Sequence, residues 1–173
     1  GTLGYYINDE HFSTHHTTPD ILELNQILAR MVEKGIKYVS MEVSSHALAL
    51  DRVYGIEFDY CLFTNLSREH LDFHQTMEEY GAAKKKLFEP TIQHKAVGLI
   101  NIDDNFGKTL FEELKSANAY VFSIGTSDAD FIIRTEHSHI LHSTTGNRFS
   151  LQTPEGIINI RSSLLGSFNM NNL

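Results

Sequence analysis

Apolar and polar positions follow one another along the first 127 residues in a pattern that predicts strands separated by helices. Segments rich in β-branched and aromatic residues predict strands at residues 37–43, 59–65, 96–102 and 119–124. Apolar side chains at helical spacing predict helices at residues 21–34, 76–88 and 105–115. Strands that alternate with helices favour an α/β fold with a mostly parallel, doubly wound sheet.

The first predicted helix carries start and stop signals. Thr18 is the expected N-cap, Pro19 suits the first helical position, and Asp20 favours the positive end of the helix dipole. Gly35 is expected to close the helix.

The pattern changes after Asp128, where short strands and turn residues replace the longer alternation. The predicted strands are Phe131–Thr135, His139–His142, Arg148–Gln152 and Ile157–Arg161. We therefore expect an α/β part at residues 1–127 and a small antiparallel β part at residues 128–165, within one domain of 173 residues.

Composition narrows the class of protein. A net charge of -8 argues against a nucleic acid or an anionic membrane as the main partner. The single cysteine, Cys61, lies in an apolar run, which excludes a disulfide framework and indicates a buried thiol in a cytoplasmic protein. We find no apolar stretch of about 18 residues and no signal-peptide pattern in the sequence.

Candidate chemistry lies where polar residues follow predicted strands, since ligands bind at the strand ends of open α/β sheets. Glu42 lies at the end of the strand predicted at residues 37–43, and His70 follows the strand predicted at residues 59–65. Lys84 shares one helix face with Tyr80 and Phe88, whereas Lys85 and Lys86 point elsewhere. A buried lysine tends to be neutral and can react with carbon dioxide to form a carbamate. The alternative for Lys84 is a surface lysine with only its stem buried.

Ordered motifs at Thr17–Asp20, Glu42–His46, Thr64–Asp72 and Tyr80–Lys84 resemble the central domain of the Mur ligases, the ATP-dependent amide-forming enzymes of peptidoglycan precursor synthesis. Within that family they resemble the enzymes that add the third residue of the stem peptide. The resemblance runs from Gly1 to Asn172. It implies that meso-diaminopimelate or L-lysine is added, through an acyl phosphate, to UDP-N-acetylmuramoyl-L-alanyl-D-glutamate.

The resemblance also implies roles for individual residues. Mg²⁺ would be bound by Glu42, His70 and Lys84, the last as a carbamate (N6-carboxylysine). The nucleotide-linked substrate would be contacted by Thr17, Thr18, Ser44 and Arg52, and the adenine of ATP by Asn169 and Asn172. The sequence departs from some relatives at His16, where they carry Asn, and at Leu50, where they carry Gln. Asp103 and Asp104 follow a predicted strand end and are expected near the nucleotide.

No G-x-x-x-x-G-K-[ST] phosphate loop occurs in the sequence. The resemblance implies that this loop and a UDP-binding domain precede Gly1, and that a domain for the incoming amino acid follows Leu173. We therefore expect this chain to be a monomeric central-domain fragment that does not turn over ATP by itself.

Three alternatives compete with this interpretation. The spacing of His70, Asp72 and His74 is compatible with a metal-dependent hydrolase, for which His11, His15 and His16 are further candidate ligands. Ser45 and His46 are compatible with a Ser/His hydrolase, although a G-x-S-x-G motif is missing. A folylpolyglutamate-type ligase would share the superfamily fold.

Overall fold

The computed structural model describes residues 1–135 and 147–163. The chain forms two compact units, the first comprising residues 1–57 and 68–87 and the second residues 58–67 together with those from 88 onward. The strand predicted at residues 139–142 and the candidate ATP contacts Asn169 and Asn172 lie outside the described residues. Among the helices that the structure describes, none has the length and apolar character needed to cross a bilayer.

The first unit consists mainly of helices. Its elements are β1 (Tyr5–Ile7), β2 (Glu10–Phe12), α1 (Ile21–Glu33), α2 (Ser45–Ala49), α3 (Leu71–His74) and α4 (Met77–Lys85). Strands β1 and β2 form an antiparallel hairpin. Ile7 from this hairpin packs with Ile27 and Met31 from α1 in a buried cluster. The apolar stripe of α1 therefore anchors the hairpin, because both bury the same side chains.

Helix α1 begins two residues later than Thr18 would place it. The carboxylate of Asp20 accepts hydrogen bonds from the backbone N–H groups of Leu22 and Glu23, so Asp20 is the N-cap. The prediction that Thr18 caps this helix is therefore wrong, since Thr18 lies outside it and bonds elsewhere. The predicted stop is confirmed, because Gly35 takes a positive φ of 74° directly after the last turn.

The strand predicted at residues 37–43 is also wrong. This segment has no regular secondary structure and pairs with no strand in the part of the chain that the structure describes. Its apolar side chains remain in contact with solvent, with Tyr38 91% and Val39 47% exposed. A strand needs a partner backbone for its N–H and C=O groups, and the described residues place none beside this segment.

The second unit is built on one six-stranded sheet. The strands are β3 (Tyr60–Phe63), β4 (Val97–Asn101), β5 (Val121–Gly125), β6 (Phe131–Thr135), β7 (Asn147–Thr153) and β8 (Gly156–Ser162), paired in that order. Strands β3 to β6 run parallel, and β7 and β8 continue the sheet antiparallel. The predicted mostly parallel α/β fold with a C-terminal antiparallel region is confirmed. The antiparallel strands extend the main sheet.

One face of this sheet forms the core of the second unit. Cys61 and Phe63 on β3, Ile100 on β4 and Val121 on β5 are buried. Burial raises the pKa of the Cys61 thiol to about 11, as expected for an apolar setting. Helix α6 (Asn105–Ser116) contributes Leu110 and Leu114, both buried. A 3-10 turn (Lys86–Phe88) and helix α5 (Glu89–Ile92) precede β4.

The carboxyl ends of the parallel strands are held by side chains that bond to backbone. The amide of Asn101 donates to the carbonyl of Thr64 at 2.7 Å. The carboxylate of Asp104 accepts from the N–H groups of Leu66 and Gly107. Asp103 accepts from the N–H and the hydroxyl of Thr126. Asp103 and Asp104 thus have structural partners, and their expected proximity to a nucleotide stays a prediction.

Gly107 on α6 lies against the backbone at the end of β4, which leads to a prediction about stability. A Cβ at this position would overlap the carbonyl oxygen of Asn101 and lie 2.9 Å from a ring carbon of Phe63. Gly107→Ala should therefore lower the free energy of unfolding by about 3 kcal/mol, measured by urea denaturation. Lys108→Ala, at the exposed neighbouring position, is the control and should change it by less than about 0.5 kcal/mol. Equal stability of the two variants would contradict this account of the contact.

Candidate active site

Thr18 is the centre of a junction in the first unit. Its side chain is fully buried. The Thr18 hydroxyl donates to the backbone carbonyl of Glu42 at 2.9 Å and accepts from the backbone N–H of Ser44 at 3.0 Å. The Thr18 carbonyl accepts from Nη1 of Arg52 at 3.2 Å. Four of the predicted site residues are therefore brought together, although they span 34 positions of sequence.

Ser44 lies where the irregular segment ends and helix α2 begins. Its Oγ accepts from the N–H of Ala47 at 3.2 Å, which makes Ser44 the N-cap of that helix. The side chain of Glu42, two residues earlier, is exposed. Thr17 is half-buried, with its hydroxyl 3.0 Å from that of Thr2. A carboxylate, two hydroxyls and a guanidinium thus lie on or beside the residues that Thr18 anchors.

His70 lies at the start of helix α3 in a left-handed backbone conformation, with φ of 58°. Its side chain is exposed. The His70 ring makes edge-to-face contacts with two neighbouring rings. Its centroid lies 4.9 Å from that of His46 and 5.7 Å from that of Tyr80. These two contacts orient an imidazole that remains accessible to a ligand.

Lys84 lies one helical turn after Tyr80 on α4. The Lys84 side chain is half-buried, and its Nζ lies 5.2 Å from the centroid of the Tyr80 ring. The Tyr80 hydroxyl donates to Glu69 at 3.2 Å. Burial raises the pKa of the Tyr80 phenol well above its ordinary value, and the Glu69 carboxylate raises it further. Tyr80 is therefore a neutral ring that both His70 and Lys84 contact.

Beside these residues lies a buried hydrogen-bonded pair that the sequence did not predict. Nε2 of His74 is 2.8 Å from Oγ of Ser45, and both side chains are buried. The His74 ring stacks on Tyr80 at 5.1 Å between centroids. Burial lowers the pKa of both His74 and His46, and the charges of neighbouring histidines lower each further. The sequence signals for this pair are limited. Both residues are polar, Ser45 lies within the motif Glu42–His46, and His74 lies two residues after the motif Thr64–Asp72.

The same geometry weakens the hydrolase hypotheses. His74 bonds to Ser45, so it is withdrawn from the proposed ligand set with His70 and Asp72. Within the described ranges, no group of three or more His, Cys, Asp or Glu side chains is arranged to hold a metal ion. Ser45 takes His74 as its partner instead of His46 and is 2% exposed, which does not suit a nucleophile that must reach substrate.

The donor atoms of the residues predicted to bind Mg²⁺ suit that ion, provided that Lys84 carries a carboxyl group. Glu42 supplies an exposed carboxylate and His70 an exposed imidazole. A charged lysine ammonium donates hydrogen bonds only and cannot bind a cation. Lys84 becomes an oxygen donor of the kind Mg²⁺ prefers only when it carries a carboxyl group.

Several known proteins are similar to this chain in sequence. A family model described as the Mur ligase middle domain matches residues 1–173. UDP-N-acetylmuramoyl-L-alanyl-D-glutamate–2,6-diaminopimelate ligase of Caldanaerobacter subterraneus subsp. tengcongensis is 40% identical over 172 residues, which cover 99% of this chain and 34% of that protein. The ligase of the same name from Bacteroides fragilis is 45% identical over 138 residues, covering 80% of this chain and 28% of that protein.

Solved structures show the same architecture. A UDP-N-acetylmuramoyl-L-alanyl-D-glutamate–2,6-diaminopimelate ligase superimposes with a TM-score of 0.83 at 32% identity, covering all of this chain and 34% of the other. MurF from Acinetobacter baumannii superimposes with a TM-score of 0.53 at 21% identity, covering 68% of this chain and 24% of the other, and shows likeness of fold alone. The chain spans about a third of the length of the curated relatives it matches.

The Thr18 junction leads to a prediction about stability. Thr18→Val keeps the shape of the side chain but leaves the Glu42 carbonyl and the Ser44 N–H without their partner. Such a loss at a buried site should lower the free energy of unfolding by about 2 to 3 kcal/mol in urea denaturation. Thr18→Ser keeps the hydroxyl and should retain more of that stability. If Thr18→Val were as stable as the wild type, the junction would not depend on this hydroxyl.

Proposed function

Since this chain belongs to the Mur ligase family, whose middle-domain model it matches throughout, we propose that it is the ATP-using domain of a ligase acting on a UDP-linked muramoyl dipeptide. The observation that carries this proposal is 40% identity, over 99% of the chain, to a ligase named for that substrate. The Thr18 junction supports it, because it gathers the substrate-binding candidates in one place.

The proposed reaction joins two molecules at the cost of ATP. ATP transfers its γ-phosphoryl group to the D-glutamate γ-carboxylate of UDP-N-acetylmuramoyl-L-alanyl-D-glutamate, which gives an acyl phosphate and ADP. The amine of the incoming diamino acid then attacks the acyl carbon, the amide forms, and phosphate leaves with loss of a proton. The names of the relatives support 2,6-diaminopimelate as that acid, and L-lysine is the alternative. The product would serve peptidoglycan synthesis in the cytoplasm and thereby cell shape and division.

Arg52, Thr17, Thr18 and Ser44 are the proposed contacts to the UDP-linked dipeptide. Arg52 donates one N–H to the carbonyl of Thr18, which fixes the direction of its guanidinium. The planar fork of a guanidinium suits bidentate recognition of a carboxylate. Ser44 and Thr17 present hydroxyls that suit the polar groups of a sugar–peptide substrate. In this proposal Thr18 has two roles, as anchor of the site and as part of its lining.

Glu42, His70 and carbamylated Lys84 are the proposed ligands of Mg²⁺. When bound, the ion would reduce the repulsion between the ATP phosphates and the substrate carboxylate, which is mainly electrostatic catalysis. Glu42 would contribute through its exposed carboxylate, and His70 through an imidazole oriented by His46 and Tyr80. Lys84 would contribute a carbamate oxygen beside the Tyr80 ring. We also propose that Asn169 and Asn172 contact adenine and that the ligase is a monomer.

The role of Lys84 is tested by substitution and chemical rescue in the ligase that carries this domain. Lys84→Ala should abolish most of the diamino-acid-dependent phosphate release. Added formate or acetate should restore part of it, because a small carboxylate can occupy the vacated space and supply an oxygen. Lys85→Ala and Lys86→Ala are the controls and should stay near wild-type turnover. Rescue by an amine instead of a carboxylate, or near-normal turnover of Lys84→Ala, would refute the carbamate assignment.

The role of Arg52 is tested by comparing the Michaelis constants of two substrates. Arg52→Ala should raise KM for the UDP-linked dipeptide by about tenfold or more and change that for ATP much less, since a charged hydrogen bond to a carboxylate is lost. Arg30→Ala is the control, because Arg30 is exposed on α1, where its guanidinium lies over Phe12. Equal increases for both substrates would show that Arg52 acts only through its bond to Thr18.

A further inference from the structure

Ser45 and His74 form a buried polar pair that the proposed reaction does not use directly. Their hydrogen bond is 2.8 Å long and joins positions 29 residues apart. The side chains are 2% and 4% exposed. A polar group removed from water must find a partner, and losing that partner costs the full desolvation penalty. The pair therefore fixes the start of α2 against the end of α3.

On the α2 side, the Ser45–His74 bond is connected to His70 through the neighbouring residue His46. Ser45 is the first residue of α2, and the next residue, His46, packs its ring against Phe73 at 4.2 Å and against His70 at 4.9 Å between centroids. Ser44, directly before Ser45, is held by Thr18. A shift of the first turn of α2 would therefore move the surroundings of His70.

On the α3 side, the bond is connected to Lys84 through the ring of Tyr80. His74 stacks on Tyr80 with an angle of 17° between the ring planes. Tyr80 is 1% exposed and lies under the Lys84 ammonium. A tilt of the Tyr80 ring would disturb its stacking on His74 and its contact with Lys84, because the ring is in contact with both. The placement of Lys84 on α4 thus depends on how His74 is held.

We infer that Ser45 and His74 are positioning residues, whose hydrogen bond sets the placement of His70 and Lys84 for the ligase reaction. This inference rests on the proposed function. It assigns the two residues no contact with substrate or ATP. They act through the His46 and Tyr80 rings, as partners of ligand residues commonly do in metal sites.

Three variants of the ligase that carries this domain test the inference. Ser45→Ala removes the hydroxyl and suits a helix. His74→Phe removes the hydrogen bond and keeps a ring for stacking on Tyr80. The double variant removes both partners, so no buried polar group is left unpaired and its melting temperature should lie nearer the wild type than that of either single variant. Thr91→Val is the matched control in the second unit, where it removes another fully buried hydrogen bond, from Thr91 to the carbonyl of Phe88.

Two measurements separate positioning from simple stabilisation. We expect kcat to fall about 10- to 100-fold in Ser45→Ala and in the double variant, with little change in KM for the UDP-linked dipeptide. The carbamate signal of Lys84, observed by ¹³C NMR after equilibration with ¹³C-bicarbonate, should weaken in the same variants without any nucleotide present. Thr91→Val should lose stability while kcat and the carbamate signal stay at wild-type levels.

The inference is overturned if kcat and the carbamate signal of the double variant return to wild type together with its melting temperature. It is equally overturned if Ser45→Ala has wild-type kcat. These failures differ from a failure of the proposed function, which would show as absence of diamino-acid-dependent phosphate release in the wild-type ligase.

Discussion

The candidate site depends on one buried hydroxyl. Residues 36–44 pair with no strand in the part of the chain that the structure describes, so their direction cannot come from a sheet. The Thr18 hydroxyl supplies it by bonding to the carbonyl of Glu42 and the N–H of Ser44. Because the Thr18 side chain is fully buried, breaking these bonds leaves backbone polar groups without their partner beside a site that water does not reach. The positions of the Glu42 side chain and of the first turn of α2 follow from this anchor.

Three consecutive residues at the start of α2 make three different contacts. Ser44 caps the helix, Ser45 bonds to His74, and His46 packs against His70. Tyr80 completes the arrangement, because the rings of His70 and His74 and the ammonium of Lys84 all contact it. Aromatic rings and one buried hydrogen bond therefore place His70 and Lys84, two of the residues that we propose as ligands. Such packing holds ligand side chains in one orientation before the ion arrives, which lowers the cost of binding it.

The pattern of apolar residues along the sequence predicts those strands and helices that bury one regular face. Alternating burial on β3 and β5 and the apolar stripe of α6 follow from the side-chain periods of strand and helix, so both were predictable. Residues 37–43 were mispredicted because β propensity does not say whether a partner strand is present. Thr18 and Asp20 are both good capping residues, and backbone geometry rather than residue type decided between them. The Ser45–His74 bond joins distant positions, and spacing along the chain carries no sign of it.

We propose that Glu42, His70 and Lys84 bind magnesium at one site of this domain. Anomalous diffraction from Mn²⁺, in crystals of the ligase that carries this domain with a non-hydrolysable ATP analogue and the UDP-linked dipeptide, tests it most directly. We expect anomalous peaks about 2.1 Å from an oxygen of Glu42 and from an oxygen of a carboxyl group on Lys84, with His70 as a further ligand. Metal bound away from these residues, together with an unmodified Lys84, would contradict it.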